Sequence, residues 1–234
     1  RSRQHTTPPV PQADMTAHFQ QVFQGEGMPP ATTVPAPLGS LTVDTGLDAE
    51  AVKVALKKTK TAAAPGLPGV PAPAFKVGPV VAAVAPVLQA VARAPQEPGP
   101  MQLGLLTPAH KPKTDPRVAR GSYRPPVVSA VLHKVYATCM LAYVMRSLRD
   151  REQLQRALGT QAGFLPGRSA LLNCFALQHM VHHQLHVAKQ PLYAVLMDVK
   201  GAYDTVRYDT LLETLMDRFV LPPDMVAPLI GMYA

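Results

Sequence analysis

Apolar positions recur at helical spacing in several stretches of this chain, and each such stretch predicts an element. Val52, Ala55 and Leu56 line one face of a segment that starts near Asp48, a natural N-cap, and ends in lysines. Val80 to Ala94 reads as a second helix, broken by the prolines from Pro95 to Pro100, and Leu103 to Leu106 as a short strand. From Val131 to Leu148 a long helix carries Leu132, Val135, Tyr136, Cys139, Met140, Tyr143 and Val144 on one broad stripe. Ser169 is placed to cap a helix from Ala170 to about His186. Near the end, Arg207-Tyr208-Asp209 precedes a helix from Thr210 to Phe219 with Leu211, Leu212, Leu215 and Met216 inward, and Met225 to Met232 forms the last helix. Leu192 to Met197 is different. Its unbroken apolar run predicts a strand buried on both faces.

Residues 1–47 show no sustained period. They are rich in Pro, Ala, Thr and Gln and are expected to be disordered or loosely attached. The pattern as a whole predicts an α/β (α+β) fold, mostly helical. No apolar run is long enough to span a bilayer and no secretory segment opens the chain. Cys139 and Cys174, each inside an apolar helical pattern, are expected as buried free thiols of an intracellular protein.

The formal charge of +8 is concentrated. Residues 111–168 hold eleven Lys and Arg against Asp115, Asp150 and Glu152, which accounts for the whole excess. With Tyr123 and Tyr136 interleaved, this block suits a polyanion, either nucleic acid or a nucleotide triphosphate.

Three stretches carry candidate chemistry. Asp198 ends the apolar run, and a carboxylate there needs a partner or a cation; the Val199 carbonyl lies beside it. Lys200-Gly201-Ala202 can bend around a ligand before Tyr203 and Asp204. In Gln161-Ala-Gly163-Phe164-Leu-Pro166-Gly167-Arg168-Ser169, glycines permit a close backbone approach. His179, His182, His183 and His186 share one helix face. His pairs four apart can chelate Zn²⁺, yet no Glu, Asp or Cys completes the set, so the face reads as a wet histidine stripe.

The stretch Met197-Asp198-Val-Lys-Gly-Ala-Tyr203-Asp204-Thr-Val resembles the first catalytic motif of reverse transcriptases, Asp-x-x-x-x-Phe/Tyr-Asp, in its non-LTR (LINE-type) retrotransposon form. Other stretches are similar to that family in the same order. A helix runs into the Lys-rich loop Pro65-Gly66-Leu-Pro68-Gly69, where Pro68 replaces the Asp of the family's Pro-Gly-x-Asp-Gly turn. A strand, the basic loop His110-Lys111-Pro-Lys113 and Gly-Ser-Tyr123-Arg124-Pro125 follow, and then the glycine loop, in which Leu165 replaces an Arg.

The resemblance implies a fingers region and a partial palm, and RNA-directed DNA synthesis. A primer 3′-hydroxyl would attack the α-phosphate of a dNTP at two Mg²⁺ (or Mn²⁺) ions. It implies Asp198 and the Val199 carbonyl as metal ligands, with Lys111 (or Lys113) and Arg124 on the triphosphate. Tyr203, with Gly201 and Ala202, would lie at the sugar. Gln161, Gly163, Phe164, Pro166, Gly167 and Arg168 would lie against the template. Expected partners are an RNA template, a DNA primer and dNTP, with no membrane, and a nuclear location if the element is active. The expected divisions are 1–47, fingers 48–190 and the start of a palm 191–234. The family's later Asp-Asp hairpin has no counterpart here, because Asp209, Asp217 and Asp224 stand apart. The chain is therefore expected to be a fragment or remnant, inactive alone, the alternative being a non-catalytic nucleic-acid binder that keeps the basic fingers.

Overall fold

The computed structural model describes residues 10–23, 47–94, 98–149, 158–159, 161–165, 167–199, 202–203 and 206–232. It divides into two compact units, Arg1–Asp150 with Val206–Ala234, and Arg151–Thr205. The fold is mixed, with many helices and two small antiparallel sheets.

Within the first unit, α1 spans Gln12–Phe23, α2 Ala49–Lys58, α3 Gly78–Arg93 and α4 Gly99–Gln102. As expected, the Asp48 carboxylate caps α2, accepting from the Ala51 N–H at 2.7 Å, and Val52, Ala55 and Leu56 face inward. Pro86 is tolerated inside α3 because it lies on the exposed side, away from buried Val84, Ala85 and Leu88. The long helix α6, Val131–Arg149, packs its Val135, Tyr136, Cys139 and Met140 stripe into the same core. Leu47, Leu56, Leu88, Val131, Tyr136 and Met140 are fully buried. Each such side chain contributes about 1.5–3 kcal/mol relative to exposure.

Four short strands lie between α4 and α6, with the single turn α5 (Ala119–Ser122) before the third. β1 (Gly104–Leu106) pairs antiparallel with β4 (Val127–Ser129), and β2 (Ala109–His110) with β3 (Tyr123–Arg124). The Thr107 N–H bonds to the Pro126 carbonyl at 2.9 Å, and that of Lys111 to the Ser122 carbonyl at 2.7 Å. These bonds make one bent ribbon of the two pairs. Pro108, Pro125 and Pro126 lie at its break, since proline has no N–H to give to a ladder.

The N-terminal expectation is corrected for part of its length. Residues 12–23, read as disordered or loosely attached, are helical, and Val10, Met15 and Phe19 are buried with Tyr123, against which Leu106 also packs. Met15 and Phe19 stand four apart, a helical pair too short to register as a period. Residues 1–9 and 24–46 lie outside the described residues. The first unit closes with α8 (Tyr208–Glu213), a π turn at Thr214–Arg218, and α9 (Pro223–Gly231), which packs on α3. Leu211, Leu212 and Leu215 are half-buried there, while Met216 is exposed.

In the second unit, α7 spans Ala170–His182 and continues into a π turn, His183–Val187. The Ser169 hydroxyl accepts from the Leu172 N–H at 3.3 Å, the expected cap. Cys174 is exposed, contrary to expectation, and Cys139 is buried; both thiols are free. The central strand expected at 192–197 is absent. Residues 189–199 are irregular and exposed, with Leu196 92% and Met197 90% accessible. A strand needs a neighbour for its N–H and C=O groups, and among the described residues β1 to β4 pair only with one another. The apolar run signals a wish for burial but cannot name its partner.

Candidate nucleic-acid interface

The ribbon positions the two cations that the family resemblance puts on a triphosphate. Ala109 stands opposite Arg124 and His110 opposite Tyr123, and the next bonded pair is Lys111 with Ser122. Side chains alternate between the faces, so Lys111 and Arg124 share a face as diagonal neighbours. That diagonal places their Cα atoms about 7–8 Å apart. Arg124 is exposed, and the extended backbone of a residue before proline projects its guanidinium from the ribbon. The Lys111 ammonium donates to the Gly121 carbonyl at 2.8 Å, keeping its other donors.

The loop joining β2 to α5 is held by its own side chains. The Thr114 hydroxyl donates to the Lys111 carbonyl at 2.8 Å, and an imidazole nitrogen of His110 lies 3.0 Å from the Thr114 carbonyl. The Tyr123 hydroxyl donates to the Pro116 carbonyl at 2.8 Å. Arg117 grips Asp115 with two bonds of 3.1 Å, and these hold the Asp115 carboxyl below its ordinary range. Lys113 stands at the tip in a left-handed conformation, φ 67°. Sequence reasoning missed Thr114 as a staple; a threonine in a short turn beside prolines was the available signal.

Several members of the basic block serve the protein itself. The Lys134 ammonium donates to the Ala64 carbonyl at 2.9 Å, tying α6 to the 59–70 loop, and Arg117 is neutralised by Asp115. Tyr123 and Tyr136, expected to interleave with the cations, are buried and offer no stacking face. Of the basic block, Lys111, Lys113, Arg124 and Arg146 remain as described cations at the surface of this unit, Lys111 half-buried.

In the second unit the glycine loop closes on itself. Arg168 donates through Nη1 to the carbonyls of Gly159 at 2.6 Å and Gln161 at 2.8 Å. Arg168, expected against the template, thus braces its own loop through one of its guanidinium nitrogens. The Gln161 amide donates to the Gly163 carbonyl at 3.2 Å. Phe164 is 92% exposed and left-handed at φ 61°, and Gly167 has φ 75°. A flat apolar ring presented this way suits stacking on a base. Pro166 lies outside the described residues, as does Gly201.

Asp198, Val199, Ala202 and Tyr203 are all exposed, Tyr203 to 79%. Asp198 offers one carboxylate and its neighbour one carbonyl. Among the described residues no group of three or more His, Cys, Asp or Glu could hold an ion. Mg²⁺ needs several well-placed oxygens, so the residues described do not fit the expected two-ion site. Arg207 grips Asp209, and that hydrogen bonding pulls its carboxyl down to about 2. No described helix is long and apolar enough to cross a membrane. No protein-family model matches the chain, and no curated protein matches it either.

Proposed function

We propose that this chain is a reverse-transcriptase-like polypeptide of a non-LTR retroelement that binds template, primer and nucleotide through basic fingers. The observation that supports it most is Lys111 and Arg124 on one face of a proline-broken ribbon. These are the two cations that the motif resemblance assigns to phosphate. Nucleotidyl transfer, with a dNTP adding to a primer and pyrophosphate leaving, is the reaction of that family. No step of it is assigned to the described residues, because among them Asp198 belongs to no group of three or more His, Cys, Asp or Glu. That same isolation favours a second reading, a non-catalytic nucleic-acid binder that retains the fingers. Either role places the protein inside the cell, and the first places it in the nucleus when the element is active.

Binding tests what the two readings share. An RNA–DNA template–primer should bind with an affinity that falls steeply with salt, as phosphate contacts release counterions. A strand with uncharged methylphosphonate linkages should bind far more weakly. Equal affinity for the charged and uncharged strands would overturn the proposal. Primer extension with dNTP and Mg²⁺ separates the readings: incorporation supports catalysis, and its absence supports the binder.

A further inference from the structure

The C-terminal end of α7 carries an arrangement independent of the reading above. His182 and His186 stand four residues apart, where the α-helix passes into its π turn, and both are exposed. Their ring centroids lie 5.0 Å apart, with the planes tilted by 43°. Two imidazoles that share one tetrahedral ion through metal–nitrogen bonds of about 2.0–2.1 Å place their centroids about 5 Å apart. The rings therefore already sit at chelating separation.

Two further features suit a cation. From Ala170 to Val187 the sequence contains no Asp, Glu, Lys or Arg, so no carboxylate of this helix hardens the ligand set; the nearest cation in sequence, Lys189, follows the π turn. The pair also occupies the C-terminal end of the helix, the negative pole of its macrodipole. Termination is well defined: the Ala188 N–H bonds to the His183 carbonyl at 2.9 Å, and that of Gln190 to the Gln184 carbonyl at 3.0 Å. The Gln184 amide also donates to the Gln190 side chain at 3.1 Å. The backbone under the two rings is thus fixed from both sides.

We propose that His182 and His186 form a two-histidine site for a borderline transition-metal dication such as Zn²⁺, with the remaining positions taken by water or by a donor from another molecule. An all-imidazole pair selects Zn²⁺, Ni²⁺ or Cu²⁺ over Mg²⁺ and Ca²⁺, which demand oxygen. The site is chemically distinct from the carboxylate chemistry expected around Asp198.

The test is a Zn²⁺ titration of the full chain against a chromophoric zinc indicator, in a Cys174→Ser background that removes the exposed thiol. The expected result is one saturable ion. His182→Gln and His186→Gln should each weaken it at least about tenfold, since either change removes one of the two imidazoles whose rings lie at chelating separation. His110→Gln, remote in sequence and bonded to Thr114, should leave it within about twofold. Excess Mg²⁺ should not displace the ion. Affinity that stays within about threefold in both His182→Gln and His186→Gln, displacement by Mg²⁺, or no saturation at millimolar Zn²⁺ would each overturn the assignment. Amide exchange at residues 183–188 gives a second readout that does not depend on the indicator. It should slow on adding Zn²⁺ to the parent chain and stay unchanged in His186→Gln.

Discussion

Gly66 and Gly69 form a matched pair for testing how the 59–70 loop is seated. Both lie in one turn, closed by the Gly69 N–H on the Gly66 carbonyl at 3.2 Å, with nearly equal φ of 75° and 72°. Their surroundings differ completely. A Cβ on Gly66 would lie 2.8 Å from the Ser129 carbonyl oxygen and the Ala130 nitrogen, at the junction of β4 and α6, whereas one on Gly69 would meet nothing within 4 Å. Gly69→Ala therefore carries only the left-handed strain, about 1–2 kcal/mol. Roughly 0.4–1 kcal/mol of that is offset by the stiffer unfolded chain. Gly66→Ala adds a clash with backbone that cannot swing aside, an overpacking cost of about 1–3 kcal/mol. Urea unfolding followed by far-UV circular dichroism should thus place Gly66→Ala about 1–3 kcal/mol below Gly69→Ala. Equal destabilisation of the two variants would refute the close approach of this loop to the ribbon.

Three further outcomes follow from side-chain environments. Burial pushes the Cys139 thiol up to about 11, while Cys174 is exposed, so a thiol reagent at pH 8 should modify one cysteine quickly; Cys174→Ser should abolish that fast phase and Cys139→Ser should not. The Asp209 carboxyl is held near about 2, below its ordinary 3.8, by its bond to Arg207. Its stabilising contribution is complete above about pH 3.8 and lost as pH falls through about 2, so the Asp209 carboxyl titration by NMR should shift upward in Arg207→Ala. Arg168→Ala removes the donor shared by the Gly159 and Gln161 carbonyls and should speed amide exchange across residues 161–168, leaving α2 unchanged.

Helices with a sustained apolar stripe were legible in the sequence. Asp48 and the Val52, Ala55, Leu56 face define α2, and the Val135–Met140 stripe defines α6, because a helix is specified by its own local spacing. The Leu103–Leu106 strand was legible for a related reason, since proline-bounded partners for it lie close by in sequence. Residues 192–197 were not legible: an apolar run records a need for burial, and strand formation depends on a neighbour that the run does not encode. The helix at 12–23 was missed because its buried side hangs on few residues, Met15 and Phe19. At the candidate site, the family resemblance supplied Lys111 and Arg124, and the strand alternation continued past β2 puts them on one face. The bond of Lys134 to the Ala64 carbonyl and the burial of Tyr123 arise from tertiary contacts with no sequence signal, whereas Arg168 bonds within its own loop.

Arg124 offers the most direct test of the proposed phosphate-binding face, because it is exposed and its removal disturbs no core residue. Fluorescence anisotropy with an RNA–DNA template–primer gives the slope of log K against log salt for the parent chain and for Arg124→Ala. If the guanidinium meets one phosphate, the slope of the variant should be shallower by about one unit, with weaker binding at low salt. An Arg124→Ala chain whose slope and affinity both equal those of the parent would contradict a phosphate-binding role for this face of the ribbon.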